Sequence, residues 1–387
     1  MLKSLFNYYL LTSHYIKNTT GTTYYVDIKN GLGSNDGLTP ETALSNIQVA
    51  LDKSDCGTVI IASGVYEHSH GFISKGINNT KKVNVIAKQD QKVIINGSAY
   101  NLSYSLVIGK SNTYQATRSG IGRIFDTRNI SEDGDYLELE KLNSINEVES
   151  TPNSWYTDGT NIYVHTKDNT IPDNNIRVMF NTINTVTTSN DLYLENIQIH
   201  GGISPLKGIS GGNIYAKNCK FKYSTSSNGI TINSSLAIID SCEASNNFLD
   251  GFNYNSGKVI EVNSLARNNG NTLQGDTQNG PTQHNGGKII RINCEYKNNK
   301  GSNVGDNHAN TQSWNLGCVS YGSVAGLEEK YNSNFTAHTN AEMWNDGCTS
   351  FDSINANTIQ DGAKMHLKDC AFIGTTKIEG TGEVDYY

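Results

Sequence analysis

Charge is scarce in this chain. Asp, Glu, Lys and Arg make up 17% of its 387 residues, where about a quarter is usual. Proline numbers 5 and methionine 4, and no long stretch is rich in Ala, Leu and Glu, so long helices are not expected. Lys and Arg (30) fall short of Asp and Glu (37), and the formal net charge is −7. That excludes the basic footprint of a nucleic-acid binder. No run approaches the ~18 consecutive apolar residues of a membrane-spanning helix. Modest net charge together with 21 tyrosines also argues against a disordered chain.

What is present is polar and uncharged: 37 glycines and roughly 50 asparagines, a composition suited to many short strands and turns. An all-β protein is expected. Residues Met1 to Leu11 are mildly apolar but lack the clean apolar run and small-residue cleavage site of a signal peptide. They read as a short structured or attachment segment, or else as a degenerate secretion signal. Without a signal, an extracellular role needs another exit, such as release by lysis with a virus particle.

Six of the seven cysteines act as a ruler: Cys219, Cys242, Cys294, Cys318, Cys348 and Cys370 sit in similar short contexts, and Ile197 and Ser264 fit the same frame. The anchors then fall at 197, 219, 242, 264, 294, 318, 348 and 370, a period near 22 with two longer members of 30. Such a period signals a solenoid. Short strands and polar bends, with no 3.6-residue periodicity, suit a parallel β-helix rather than a helical array. Asn196, Asn218, Asn263 and Asn293 would form a ladder at one bend. The cysteines would stack as buried thiols; disulfides need paired geometry, and a zinc site needs closer spacing.

Residues 24–67 carry Tyr24-Tyr25-Val26-Asp27, then Gly33-Ser34-Asn35-Asp36-Gly37, Ile47-Gln48-Val49-Ala50-Leu51 and Gly57-Thr58-Val59-Ile60-Ile61 through Gly64-Val65-Tyr66. This resembles the N-terminal cap of right-handed parallel β-helix proteins of the pectate-lyase-like superfamily. A helix over Thr42–Lys53 would plug the first coil. Trp155-Tyr156-Thr157-Asp158-Gly159, followed by Tyr163-Val164, resembles the β-rich insertion between early coils of carbohydrate-active β-helices, and Asp-Gly is also a hairpin signal. The expected fold is all-β: a right-handed parallel β-helix with an N-terminal capping helix and an early β-rich insertion. The expected segments are 1–23 (N-terminal), 24–96 (cap and first coils), 97–180 (insertion) and 181–387 (main β-helix).

The resemblance implies a polysaccharide depolymerase, a glycoside hydrolase ahead of a lyase, acting on a bacterial surface or extracellular glycan. The alternative is a non-catalytic glycan-binding adhesin or receptor-binding tail protein. It also implies an extracellular or virion-associated (phage tail) location and a homotrimer, with no nucleic-acid partner. No cofactor is firmly implied; calcium enters under the lyase reading. The asparagine, aspartate and Gly-His-Gly motifs of polygalacturonases are not found.

Both 30-residue coils fall in 245–345, with inserted loops at about 267–280 and 321–335. Inserted loops on one face of a solenoid usually build its site. The expected catalytic residues are Asp250, Asp276, Asp306, His284 and His308. Two carboxyls on one face two coils apart would be roughly 9–10 Å apart, near the inverting-glycosidase separation. Under the lyase reading, Arg267 or Arg291 neutralises a substrate carboxylate and His284, His308 or Tyr254 is the base. Arg291 alternatively pairs with Glu261 in the adjacent coil. Counting back ten from the anchors aligns Tyr254, His284, His308 and His338 in one column, either an outward sugar-binding row or a buried stack, because one extra bend residue reverses facing. Trp314 and Trp344 align likewise with Ile260 and Ile290, as core packing or as an exposed platform for sugar.

Overall fold

A computed structural model describes residues 17–67, 77–99, 101–209, 211–233, 236–270, 278–324 and 333–387. Each coil contributes one strand to each of three long parallel sheets. In one coil these are Lys258–Val262, Leu265–Arg267 and Pro281–His284; in the next, Lys288–Ile292, Glu295–Lys297 and Val304–Asn307. Successive strands of a sheet lie about 4.8 Å apart, so the coils stack as a solenoid.

The cysteine ruler marks the sharpest bend. The residue before each anchor turns the chain from the first sheet into the second: Asn196, Asn218, Ser241, Asn263, Asn293, Gly317, Gly347 and Asp369 all have φ between +50° and +64°. This left-handed region is open to Gly and tolerated by Asn and Asp, which explains the recurring small polar residue. The exposed Asn ladder is partial: Asn218 Nδ2 donates to Asn196 Oδ1 at 2.7 Å. A longer ladder runs through the interior at the next bend. Asn247, Asn269, Asn299, Asn303 and Asn334 bond side chain to side chain, each at 2.9 Å. Buried amides satisfied in series leave few orphaned groups.

Strands alternate inward and outward. In Gln312–Leu316, Ser313 and Asn315 are buried while Gln312, Trp314 and Leu316 are half-buried. The apolar core runs from Tyr24 and Leu44 through Phe221, Phe252 and Phe335 to Met365, with all six anchor cysteines against or within it and every cysteine free. The helix Ile47–Asp52, capped by the Asn46 side chain, inserts Ile47, Ala50 and Leu51 into the first coil. It is shorter than the expected Thr42–Lys53 because the chain before Asn46 bonds back to the first strand, Leu44 N to Tyr25 O.

The insertion has its own core of Ile124, Trp155, Ile162, Val164, Ile176 and Phe180 among others. The Trp155–Val164 hairpin turns at Asp158-Gly159, whose carboxylate accepts two backbone N–H groups and the Tyr163 hydroxyl. Ile176–Phe180 returns antiparallel to Val93–Ala99. A buried ion cluster holds the insertion on the second sheet: Asp135 receives Lys222 and Arg267, and Glu243 receives Arg267 and Lys220. No helix among the described residues is long and apolar enough to cross a membrane.

Candidate functional site

Three expected site residues lie inside the solenoid, where no glycan reaches them. Tyr254, Gln283, Asp306 and Ala337 share one inward column. Asp306 is fully buried and joined to Arg291 by two bonds, Nη1 to Oδ2 at 2.9 Å and Nη2 to Oδ1 at 2.8 Å. Arg291 does stand in register with Glu261, but its partner is Asp306. Glu261 instead accepts the hydroxyls of Tyr254 and Tyr296, and burial raises its pKa against the pull of Arg291. Arg267 is committed to Asp135 and Glu243.

Asp250 is also buried. Its Oδ1 accepts Asn279 N–H at 2.8 Å, and its own N–H donates to Asn228 Oδ1, so it serves as one rung of a ladder at the bend before the third sheet. Burial pushes its pKa up to about 6. Asp250 and Asp306 therefore present no carboxyl pair to solvent. Asp276 lies outside the described residues.

The three histidines do not form one column. Asn255 faces His284, and one coil on Asn307 faces His338; His308 follows Asn307 with φ +74°, outside the strand. Tyr254 belongs to the inward column instead. Asn253 Nδ2 donates both to Asp250 Oδ2 at 2.7 Å and to His284 Nε2 at 3.0 Å. Burial, with His308 and His338 nearby, lowers the His284 pKa to about 4 against Asp306. The His284 and His308 ring centres are 5.6 Å apart, and His338 Nδ1 meets Thr339 Oγ1 at 3.0 Å.

Trp314 and Trp344 point outward from the first sheet, so they are not core residues. They stack on each other at 4.9 Å and 7°, and His366 stacks on Trp344 at 4.8 Å. The rings stack along the solenoid axis, so their facing surfaces are spent on one another rather than offered to a sugar.

A cleft of about 1030 Å³ lies between the insertion and the bend that follows the second sheet. The inner wall carries Asn246 and Asn268, both left-handed, and Lys300; the insertion wall carries Arg123, Glu138, Glu140 and Lys141. Arg123 bridges the walls. Its Nη1 donates to the carbonyls of Ser224 (2.9 Å) and Asn246 (2.7 Å), and its Nη2 to Glu138 at 2.6 Å. Gly122 lets the walls approach: a Cβ there would lie 2.6 Å from Thr225 Cβ. Lys300 is half-buried. Burial and Arg123 lower its pKa, only partly offset by Glu138.

None of these cleft residues was expected from the repeat pattern. The available signal was the Asn-Asn pair at 246–247, 268–269 and 298–299, with Lys300 directly after the third. Among the described residues, no group of three or more His, Cys, Asp or Glu side chains converges as a metal site. In the cleft, Glu138 is engaged by Arg123.

No family model matches the chain, and no curated protein matches it. Solved structures do match. XylC in its complex with xylose aligns with a TM-score of 0.53 at 12% identity, over 92% of this chain and 70% of that one. Pectate lyase Pel9A aligns at 0.50 and 14%, over 95% and 80%. A glycoside hydrolase aligns at 0.54 and 7%, over 94% and 96%. The fold is a parallel β-helix, the architecture these structures share. Identities this low speak to architecture alone. On this β-helix the cleft lies where the insertion leans over the coil bends.

Proposed function

We propose that this β-helix is a polysaccharide depolymerase working in the insertion cleft, and that its chemistry is β-elimination on an acidic glycan. The observation that carries the reading is Lys300: a half-buried amine in the insertion cleft, biased toward its neutral form by burial and Arg123. A lysine of lowered pKa is a competent general base. Lys300 would take the proton α to a uronate carboxylate, whose charge Lys141 and Arg123 stabilise. The C–H electron pair forms the new C=C bond, the glycosidic C–O bond breaks, and the departing oxygen gains a proton equivalent to the one Lys300 took. The hydrolase order expected from Asp250 and Asp306 is set aside because both are buried. A glycan partner and an extracellular or phage-tail location go with this reading; sedimentation would test the homotrimer.

The adhesin reading has its own support, since Asn153, Asn181, Asn246 and Asn268 line the same cleft and neutral amides suit sugar hydroxyls without chemistry. Incubation with a panel of acidic and neutral polysaccharides separates the two. New reducing ends together with the ultraviolet absorbance of an unsaturated product, both lost in Lys300→Met, are the expected result. Reducing ends without that absorbance would mean hydrolysis. Binding without either signal would make the protein an adhesin.

A further inference from the structure

The anchor cysteines stand in two runs. Cys219 and Cys242 are neighbours on adjacent coils, Ser264 interrupts, and Cys294, Cys318, Cys348 and Cys370 follow without a gap. The residues directly after the longer run are in register: Glu295 with Val319, Val319 with Thr349, and Thr349 with Ala371. Each thiol of that run therefore lies about one strand spacing, ~4.8 Å, from the next. This falls inside the range of about 4.4–6.8 Å between Cα atoms that a disulfide spans.

One end of the run is open. Cys294, Cys318 and Cys348 are 1%, 0% and 0% exposed, whereas Cys370 is half-buried. Cys370 directly precedes Ala371–Phe372, the outermost strand of the second sheet. The carbonyls of Asn345 and Lys368 each lie 3.2 Å from its sulfur. The Cys348 and Cys370 thiols also hydrogen-bond each other. That bond lowers the Cys370 pKa to about 7 despite burial. At Cys348 a bond with Cys318 pulls the value down, but the bond with Cys370 and burial carry it up to about 12. Near neutral pH the pair thus holds a share of thiolate on its outer sulfur, the one a reagent can reach.

We propose that Cys348 and Cys370 are a reversible redox pair, oxidised by peroxide to a disulfide that fastens the outermost coil to its neighbour. The Cys370 thiolate attacks one peroxide oxygen and the O–O bond breaks. The sulfur becomes a sulfenic acid, and the departing hydroxide takes back from solvent the proton that Cys370 lost on ionising. The Cys348 sulfur then attacks the sulfenic sulfur. An S–S bond forms, the S–O bond breaks, and the leaving hydroxide takes the Cys348 proton. Two thiols have lost two hydrogens, and one peroxide has been reduced to two waters.

Bridged Cβ atoms average ~3.8 Å apart, so side chains stacked at ~4.8 Å must close by about 1 Å. Among the described residues Ala371–Phe372 is paired on one side only, and its free side lets Cys370 supply the movement. A bridge formed under strain is the more easily reduced, so a dithiol should reopen it. Cys294 and Cys318 are shielded and held between strands on both sides, and they stay thiols.

The test treats the full chain with hydrogen peroxide and maps its peptides without reductant. The expected product is one intramolecular link between the peptides of Cys348 and Cys370, reversed by dithiothreitol. Hydrogen exchange over 371–386 should slow at least tenfold in the linked form. Cys348→Ser should stop at sulfenic acid on Cys370, trapped by dimedone, and Cys370→Ser should leave Cys348 a thiol. The link in the unaltered chain is read without either variant having to fold. Sulfenic acid that accumulates at Cys370 of the unaltered chain, a link joining Cys370 of two chains, a link elsewhere in the run, or exchange unchanged by the link would each overturn the proposal.

Discussion

Arg291 and Asp306 form a two-bond ion pair wholly inside the solenoid, each side chain 0% exposed. Asn315 Oδ1 takes a third bond from the same guanidinium at 3.2 Å, and Asn345 continues the chain at 2.8 Å. A buried pair of this kind is costly to break from one side and cheap to replace as a unit. Asp306→Ala should therefore destabilise by ~3–5 kcal/mol, while Arg291→Met with Asp306→Leu should regain much of that loss. Urea unfolding of the two variants checks this. Equal losses would mean that the pair contributes no coupling.

Docking of the insertion should fail in acid. Burial works against the charge on Asp135 and Glu243, but Arg267 and Lys222 hold Asp135 below the usual range, and Lys222, Lys220 and Arg267 hold Glu243 near about 2. Carboxylates with depressed pKa values stabilise above their unfolded values near 4, and that contribution is lost as pH falls through the folded values. Hydrogen exchange over Ile121–Lys141 should rise between about pH 4 and 2, before exchange in the interior coils does. Asp135→Ala should bring the same opening to neutral pH, because the buried Lys222 and Arg267 lose the carboxylate they share and are left to Glu243 and the exposed Asp133.

The pH profile of cleavage follows from Lys300. Its base form is neutral, so the rate should climb with pH and level off at a midpoint below the ordinary lysine value of about 10.4. Arg123→Gln removes one of the two effects that lower the value, and the midpoint should move upward. A midpoint unchanged in Arg123→Gln would separate the arginine from the lysine.

Asn269 sits mid-ladder. Its side chain accepts from Asn247 and donates to Asn299 Oδ1 and Ala244 O. Asn269→Ala orphans several buried groups at once and should lower stability by at least ~2 kcal/mol, as read by thermal unfolding. Asn218→Ala, in the exposed ladder, should cost far less.

Cys370 should react first among the seven thiols. Six are buried, whereas Cys370 is half-buried, and hydrogen bonding with Cys348 lowers its pKa to about 7 despite burial. Iodoacetamide at pH 8 in the native state should modify Cys370 selectively, as peptide mass mapping will show. Uniform labelling would indicate an opened solenoid.

The sequence carried the solenoid because one bend is constant. Every anchor follows a left-handed residue, and a one-residue turn leaves no room for drift. Facing at the third sheet was lost because the bend after it is not constant. It runs from Asn255 to Lys258 in one coil, from His284 to Lys288 in the next and from Asn307 to Gln312 in the third, each a residue longer than the last. Counting through it moved Tyr254 and His308 into a column they do not share. The same count could not show that Asp306 faces Arg291, since an aspartate beside glycine reads as a surface turn until its parity is known. The cleft was illegible for a different reason. It joins Arg123 to Ser224 and Asn246, contacts across a hundred residues that no repeat encodes.

The parallel indoles of Trp314 and Trp344 have an optical consequence. Two such chromophores 4.9 Å apart couple their transition dipoles, so the near-ultraviolet circular dichroism contains a signal set by the rise between two adjacent coils. A slip of one residue between those strands would turn one indole to the other face and erase the coupling while leaving secondary structure intact. The chain thus carries an internal gauge of its own coil register.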